Sequence, residues 1–169
     1  AYFKKSTQMA PGFSSAWGNL GILYKLNGHS SKAERTYQFA IALDEDNLTV
    51  MGNLAFLFKQ QGKLERAAEI RTAIHNKRVS NPYYHALLAD EAFFRGQNEV
   101  ALEHYKKAIR MNRKVHEFHF GIAKVYYALK EYDKAEDAMR KAISYNRASI
   151  IEAQYIAKLN FLKQADASD

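Results

Sequence analysis

The chain alternates amphipathic segments with short turns, and the apolar positions within each segment follow a helical period. In the first clear segment Trp17, Leu20, Gly21 and Tyr24 are spaced i, i+3, i+4 and i+7, which places them on one face of an α-helix. Gly28 follows that segment, and glycine ends helices readily because it adopts a left-handed backbone conformation without steric cost. The pattern therefore predicts pairs of helices joined by short turns.

The same pattern recurs every 34 residues, and each column of equivalent positions keeps a consistent character. The columns are Trp17, Met51, His85 and His119; Leu20, Leu54, Leu88 and Ile122; Gly21, Ala55, Ala89 and Ala123; Ala33, Ala67, Ala101 and Ala135; and, at the turn, Gly28, Gly62, Gly96 and Lys130. The small residues allow helix backbones to approach closely. Lys130 replaces the turn glycine, so we expect either a positive φ there, at a cost of about 1 kcal/mol, or a different turn.

A single helix pair cannot bury its own apolar stripe, so successive pairs must stack and share a core. The sequence predicts an all-α solenoid. Ser14, Asn47 and Asn81 are the expected helix N-caps, and Pro82 is compatible with a first helical turn.

The repeat divides the chain into six predicted segments. They are the second helix of an incomplete upstream repeat (1–13), four full repeats (14–47, 48–81, 82–115 and 116–149), and a capping helix with a polar tail (150–169). In the capping helix we expect Ile156, Ala157 and Leu159 to occupy core positions. We expect the chain to be part of a longer protein.

The period and columns resemble those of the tetratricopeptide repeat family. The best match is Trp17-x-x-Leu20-Gly21-x-x-Tyr24 followed by Ala33, Tyr37 and Ala40. The resemblance implies a right-handed superhelix of helix-turn-helix repeats whose first helices line a concave groove that holds proteins or peptides. Departures are the Met and His residues in the Trp column, Arg71 in place of an aromatic residue, and a loop proline only at Pro11.

Residues 81–85 and 116–121 also resemble C-terminal repeat segments of bacterial proteins with an upstream transglutaminase-like domain. That resemblance implies that any catalysis lies outside this chain.

The predicted groove carries small and basic residues in its N-terminal half and aromatic residues in its C-terminal half. The candidate binding residues are Asn19, Lys25, Asn53, Phe56, Lys59, Tyr83, Asp90, Phe93, Phe120, Lys124 and Tyr127. Aromatic anchors with a few charges are typical of peptide-binding hot spots. The alternative is a purely structural role, in which Phe56 and Phe93 only pack against the next repeat. Tyr83, Phe120 and Tyr127 are expected to be accessible.

Two binding modes of similar repeats do not fit this sequence. An asparagine ladder for peptide backbone begins with Asn19 and Asn53 but stops, since Leu87 and Gly121 follow in that column. A carboxylate clamp for an acidic chaperone tail requires basic residues at positions where Tyr83 and Glu117 stand. The sequence therefore argues against a chaperone-tail receptor.

The formal net charge of +7 leaves nucleic-acid binding open as an alternative. Its excess cations cluster near second-helix C-termini, where the helix dipole favours them. They are Lys77, Arg78, Lys106, Lys107, Arg110, Arg113 and Lys114. The 34-residue period argues against RNA-reading repeats, so we regard nucleic acid as the weaker alternative, together with self-association through an exposed incomplete repeat.

No feature of the sequence indicates a catalytic, cofactor or metal site. The chain has no cysteine, which excludes disulfides and thiolate metal ligands. His116 and His119 lack a third ligand on their face, and the 44–47 loop lacks the glycine and glutamate that a calcium loop needs. No apolar run approaches the roughly 18 residues that cross a bilayer. The sequence thus predicts a non-enzymatic protein-binding scaffold without cofactor or metal.

Overall fold

A computed structural model describes the backbone of residues 2–146 and 149–166 and the side chains of residues 5–146 and 151–161. Over these residues the chain forms ten α-helices and no β-strand, which confirms the all-α prediction. The helices are α1 Tyr2–Met9, α2 Ser14–Leu26, α3 Ser30–Leu43, α4 Leu48–Gln60, α5 Leu64–Val79, α6 Pro82–Phe94, α7 Asn98–Met111, α8 His116–Ala128, α9 Tyr132–Tyr145 and α10 Ser149–Asp166.

The helices form two compact units, residues 1–78 (unit 1) and residues 79–169 (unit 2), each with a core of its own. The unit 1 core surrounds the fully buried ring of Tyr37, with Leu54 and Leu57 from α4 and Ala67 from α5. The unit 2 core joins Ala89, Tyr105, Val125 and Met139 from four successive helices. The alanines of one small column include Ala33 and Ala101, which are fully inaccessible to solvent.

All four predicted turns between paired helices have the same backbone structure. Gly28, Gly62 and Gly96 have φ values of +75°, +74° and +74°, and Lys130 has a φ of +60°. In each turn the next residue's N–H donates to the carbonyl five residues back, for example His29 to Tyr24 at 2.8 Å and Glu131 to Tyr126 at 2.9 Å. This is the bond of a Schellman motif, so Lys130 adopts the glycine turn with its steric cost.

Two of the three predicted N-caps are confirmed. The side chain of Asn47 accepts from the Val50 N–H, and that of Asn81 accepts from the Tyr83 N–H. The prediction for Ser14 was wrong, because Ser14 is already helical and its hydroxyl donates to the Ala40 carbonyl at 2.8 Å. Ser14 therefore ties the start of α2 to the end of α3.

Three of the four residues in the column that begins with Trp17 make the same hydrogen bond; the fourth, Met51, has no ring N–H. Trp17 Nε1 donates to the Pro11 carbonyl at 2.8 Å, six residues upstream. His85 Nε2 donates to the Val79 carbonyl at 3.0 Å, and His119 Nε2 to the Arg113 carbonyl at 2.8 Å, at the same separation. A carbonyl can only accept, so both histidines carry the proton on Nε2. In α6 and α8 histidine thus replaces the tryptophan of α2 as a ring N–H donor that ties the helix to the segment before it.

The last helix corrects one core prediction. Leu159 is buried as expected, but Ile156 is 43% exposed, Ala157 is exposed, and Tyr155 is buried in their place. Tyr155 and Leu159 belong to the unit 2 core, whereas Ile156 and Ala157 do not join it. The buried side of α10 is therefore the one that faces α9 and α8.

Candidate functional site

In unit 1 the predicted groove residues lie on α2 and α4, and two of them make contact. The Lys25 Nζ lies 4.9 Å from the centre of the Phe56 ring, which is 48% exposed. Asn19 and Lys59 are also exposed and Asn53 is half-buried. Among the described side chains, no hydrogen bond or ion pair joins these three to the Lys25–Phe56 pair. About half of the Phe56 side chain is accessible to solvent, whereas the alternative interpretation had it packed against the next repeat.

In unit 2 three predicted aromatic residues meet in one cavity of about 310 Å³, here called the aromatic pocket. Its wall comes from α6, α8, α9 and α10. The lining residues are Phe93, Phe120, Ala123, Lys124, Tyr127, Ala128, Met139, Lys158 and Phe161. Four of the nine are aromatic, and two lysines are the charged members of the set. The structure thus brings Phe93, Phe120 and Tyr127 together around an empty space wide enough for a side chain.

A three-residue network holds one of these lysines in place. Lys124 Nζ lies 3.4 Å from Asp90 Oδ1, and the same oxygen accepts the Tyr105 hydroxyl at 2.6 Å. Burial and then this hydrogen bond raise the pKa of Tyr105, so its hydroxyl remains a donor throughout the physiological range. Lys124 also lies near the Phe93 and Phe120 rings, at 5.7 and 5.5 Å. The network therefore joins α6, α7 and α8 at the pocket.

Tyr105 reaches Asp90 because Gly121 leaves room for its ring. A Cβ added at Gly121 would overlap the Tyr105 ring and hydroxyl. The sequence analysis interpreted Gly121 only as a missing rung of an asparagine ladder and did not identify Tyr105 as a site residue. The pattern that could have indicated it is a glycine on a first helix opposite a bulky residue on the preceding second helix.

The sequence analysis also missed Lys158 and Phe161, because it assigned α10 only a capping role. Lys158 Nζ lies 4.2 Å from the centre of the Phe120 ring, and Phe161 lies 5.9 Å from Tyr127. Phe120 in turn stacks on Tyr155 of α10, with ring centres 4.8 Å apart. Helix α10 therefore supplies one wall of the pocket.

Tyr83, the remaining predicted aromatic anchor, lies outside the aromatic pocket. Its ring packs edge-on against Phe118 at 5.0 Å, and 57% of its surface is exposed. It is accessible, as expected, but does not line the cavity.

Among the basic residues near second-helix C-termini, Lys77 makes an ion pair and the other six are exposed. Lys77 Nζ pairs with Asp46 Oδ1 at 2.6 Å, and this hydrogen bond raises the pKa of Lys77. Arg78, Lys106, Lys107, Arg110, Arg113 and Lys114 are exposed.

The part of the chain that the structure describes also bears on metal binding and on membrane insertion. No cluster of three or more His, Asp or Glu side chains suitable for a metal occurs there. His116 instead lies 3.1 Å from the Tyr155 hydroxyl. None of the helices in this part of the chain combines the length and apolar character that a bilayer crossing requires.

Comparison with protein families gives two matches, both to models described as tetratricopeptide repeat. One covers residues 2–35 and the other residues 87–149, together more than half of the chain. Among curated protein sequences no relative matches.

Comparison with solved structures gives matches that include the following three proteins. A chain in the crystal structure of the APC/C hetero-tetramer Cut9–Hcn1 is 22% identical over 98% of this chain, with a TM-score of 0.55. This chain spans 32% of that protein's length. A MamA protein is 20% identical over 90% of this chain and 83% of its own, with a TM-score of 0.49. PilF of Pseudomonas aeruginosa is 18% identical over 98% and 77%, with a TM-score of 0.48. The first likeness shows a shared fold, a solenoid of helix pairs.

Proposed function

The chain belongs to the tetratricopeptide repeat family, and we propose that it binds an extended or short helical segment of a partner protein along its first helices. Repeats of this family are in general protein–protein interaction scaffolds rather than catalysts. The finer proposal assigns the main anchoring to Phe93, Phe120 and Tyr127, with Asp90 and Lys124 beside them.

The observation that carries this proposal is the aromatic pocket. Surface cavities walled by aromatic side chains are where interface hot spots concentrate, because a buried anchor there loses all contact with water. The rings of Phe93, Phe120 and Tyr127 are half-buried and line the cavity that such an anchor would enter. Ring contacts with Tyr155 and Phe161 hold two of these rings in place before a partner arrives, which reduces the entropic cost of binding.

The residues of unit 1 fit a secondary role in the same function. Phe56 and Lys25 form one exposed cation–π pair, and Asn19, Asn53 and Lys59 offer polar groups on the same two helices. We assign these residues to weak partner contacts of unit 1 by itself, since exposed pairs of this kind contribute only about 0.5 to 1 kcal/mol.

A displayed random-peptide library, selected on the whole chain, tests the function. Peptides enriched on the unaltered chain should lose binding to the double variant Phe120→Ala, Tyr127→Ala by at least about tenfold, the loss expected of a hot spot. Far-UV circular dichroism and thermal unfolding report whether the variant remains folded. Phe94→Ala is the matched control, because Phe94 is 85% exposed and does not line the pocket.

A second variant keeps the test valid if the double variant unfolds. Ala128 is exposed at the pocket wall, so Ala128→Phe fills the space without removing core atoms. It should block the same peptides. Enriched peptides that bind the filled and unfilled forms equally would contradict the pocket as the binding site, and a selection without enrichment would contradict the function itself.

A further inference from the structure

We infer that the aromatic pocket selects a large apolar side chain that has a carboxylate next to it in the partner's sequence, with Lys158 as the residue that recognises the carboxylate. This inference rests on the proposed function and adds the chemistry of the partner segment. It depends on three features of the pocket: its walls, the distribution of charge at its rim, and the position of Lys158.

The walls favour a single apolar anchor. The cavity of about 310 Å³ is at the lower end of the roughly 300 to 1,000 Å³ typical of ligand pockets. Phe93, Tyr127 and Phe161 line it with aromatic rings, and the buried side chains of Ala123 and Met139 line it as well. A space of this size and polarity suits one aromatic or large aliphatic side chain rather than an extended ligand.

The rim is positive after its internal ion pair is counted. Lys124 is compensated by Asp90, which lies 3.4 Å away and is itself held by Tyr105. Glu117, one turn from Phe120 on α8, does not line the pocket, and its 3.4 Å contact with His116 is an ion pair only when the histidine is protonated. Within the described side chains no carboxylate pairs with Lys158. Lys158 is therefore the cation at the pocket whose charge is left for a partner.

The position of Lys158 makes it a specificity residue rather than a general surface charge. Its ammonium group lies 4.2 Å from the centre of the Phe120 ring, so the ring that contacts the apolar anchor also positions the cation. A carboxylate one or two residues from the anchor would reach this ammonium while the anchor fills the cavity. An ammonium can donate to a carboxylate and still keep its contact with a ring face.

The same displayed library provides the experiment, and two synthetic versions of one enriched peptide serve as probes. One version keeps its acidic residues and the other carries the matching amides. We expect enriched sequences to combine an aromatic or large aliphatic residue with Asp or Glu. The acidic peptide should bind about fivefold more tightly than its amide version, and this preference should fall as salt rises from about 50 to 200 mM.

Charge-changing variants assign the preference to one residue. Lys158→Glu should abolish or reverse the preference for the acidic peptide over its amide version. Lys106→Glu, which makes the same charge change at an exposed site on α7 outside the pocket, should leave the preference largely intact. Equal effects of the two variants would mean general electrostatic attraction and would overturn the role of Lys158.

The outcomes separate this inference from the function on which it rests. Peptides that depend on Phe120 and Tyr127 but show no acidic enrichment would overturn the carboxylate preference and leave the scaffold function standing. Peptides that ignore the pocket would remove both.

Discussion

At the residue scale, one hydrogen bond is kept although the residue type changes from tryptophan to histidine. Trp17, His85 and His119 each donate a ring N–H to a carbonyl six residues upstream. The sequence analysis recorded the histidines as departures from a tryptophan position. Both residue types place a ring N–H donor at the far end of the side chain, whereas Met51 in the same column has none.

Two buried tyrosines at equivalent repeat positions differ in whether their hydroxyl groups make a hydrogen bond. The Tyr37 hydroxyl is buried without a hydrogen-bond partner among the residues that the structure describes, whereas the Tyr105 hydroxyl donates to Asp90. An unsatisfied buried hydroxyl costs free energy, while a bond to a charged acceptor contributes about 1.5 to 3 kcal/mol. The two positions therefore predict different outcomes for the same substitution.

We expect Tyr37→Phe to be neutral or to raise the free energy of unfolding by up to about 1 kcal/mol. Tyr105→Phe should lower it by about 1.5 kcal/mol, near the lower end of the range, because Asp90 is partly exposed. Guanidinium unfolding followed by circular dichroism measures both. Equal losses in the two variants would show that the hydrogen-bond states do not differ as described.

At the element scale, two helical glycines differ in whether the packing around them requires a residue without a Cβ. Gly121 on α8 admits the Tyr105 ring, so its missing Cβ is a packing requirement. Gly52 on α4 has no atom within 4 Å of the place where a Cβ would stand. Glycine in a helix interior otherwise destabilises it by roughly 0.5 to 1 kcal/mol relative to alanine.

Gly52→Ala should therefore stabilise the chain by about 0.5 to 1 kcal/mol. Gly121→Ala should destabilise it by about 1 to 3 kcal/mol, because the displaced Tyr105 ring outweighs the gain in helix propensity. Thermal unfolding of the two variants beside the unaltered chain measures the difference. A gain in stability for both would contradict the close packing of α7 on α8.

At the scale of the whole molecule, the histidines with lowered pKa values lie in one of the two units. Burial lowers the pKa of His104 below 6.5, helped by the neighbouring His85 and Lys107. Burial also lowers the pKa of His119, with a smaller contribution from Lys141. Both belong to unit 2. The stability of unit 2 should therefore depend on pH in the range where histidine titrates.

The sign follows from the unfolded state, where these histidines titrate near 6.5. Above that pH both states are neutral and stability is complete. As the pH falls from about 6.5 through the lowered folded pKa values, the unfolded state binds protons first, so unit 2 loses stability.

Guanidinium unfolding at about pH 7.5 and about pH 5.5 tests this pH dependence. Trp17, the single tryptophan, reports on unit 1 by fluorescence, while circular dichroism reports on the whole chain. Acid should lower the circular dichroism midpoint more than the fluorescence midpoint. His104→Gln with His119→Gln should reduce that shift, and an unchanged shift in this variant would contradict the assignment.

The sequence by itself determined the helices, their turns and the small residues between them. Periodic apolar positions and glycines at 28, 62 and 96 are local or short-range patterns, and helix pairing depends on them directly. Even Lys130 could be recognised as an exception, because its place in the column was visible without a structure. Asn47 and Asn81 were identified as caps for the same reason.

Only the tertiary structure decided which candidate residues act together. Phe93, Phe120 and Tyr127 were predicted from the groove-facing side of the first helices. Lys158 and Phe161 complete the aromatic pocket because α10 packs beside α8. Tyr105 reaches Asp90 across the gap at Gly121, and Ile156 is exposed where the repeat predicted core. Such relations depend on which helices lie next to each other and how closely, and a period along the chain specifies spacing but not the side chains that converge from different helices.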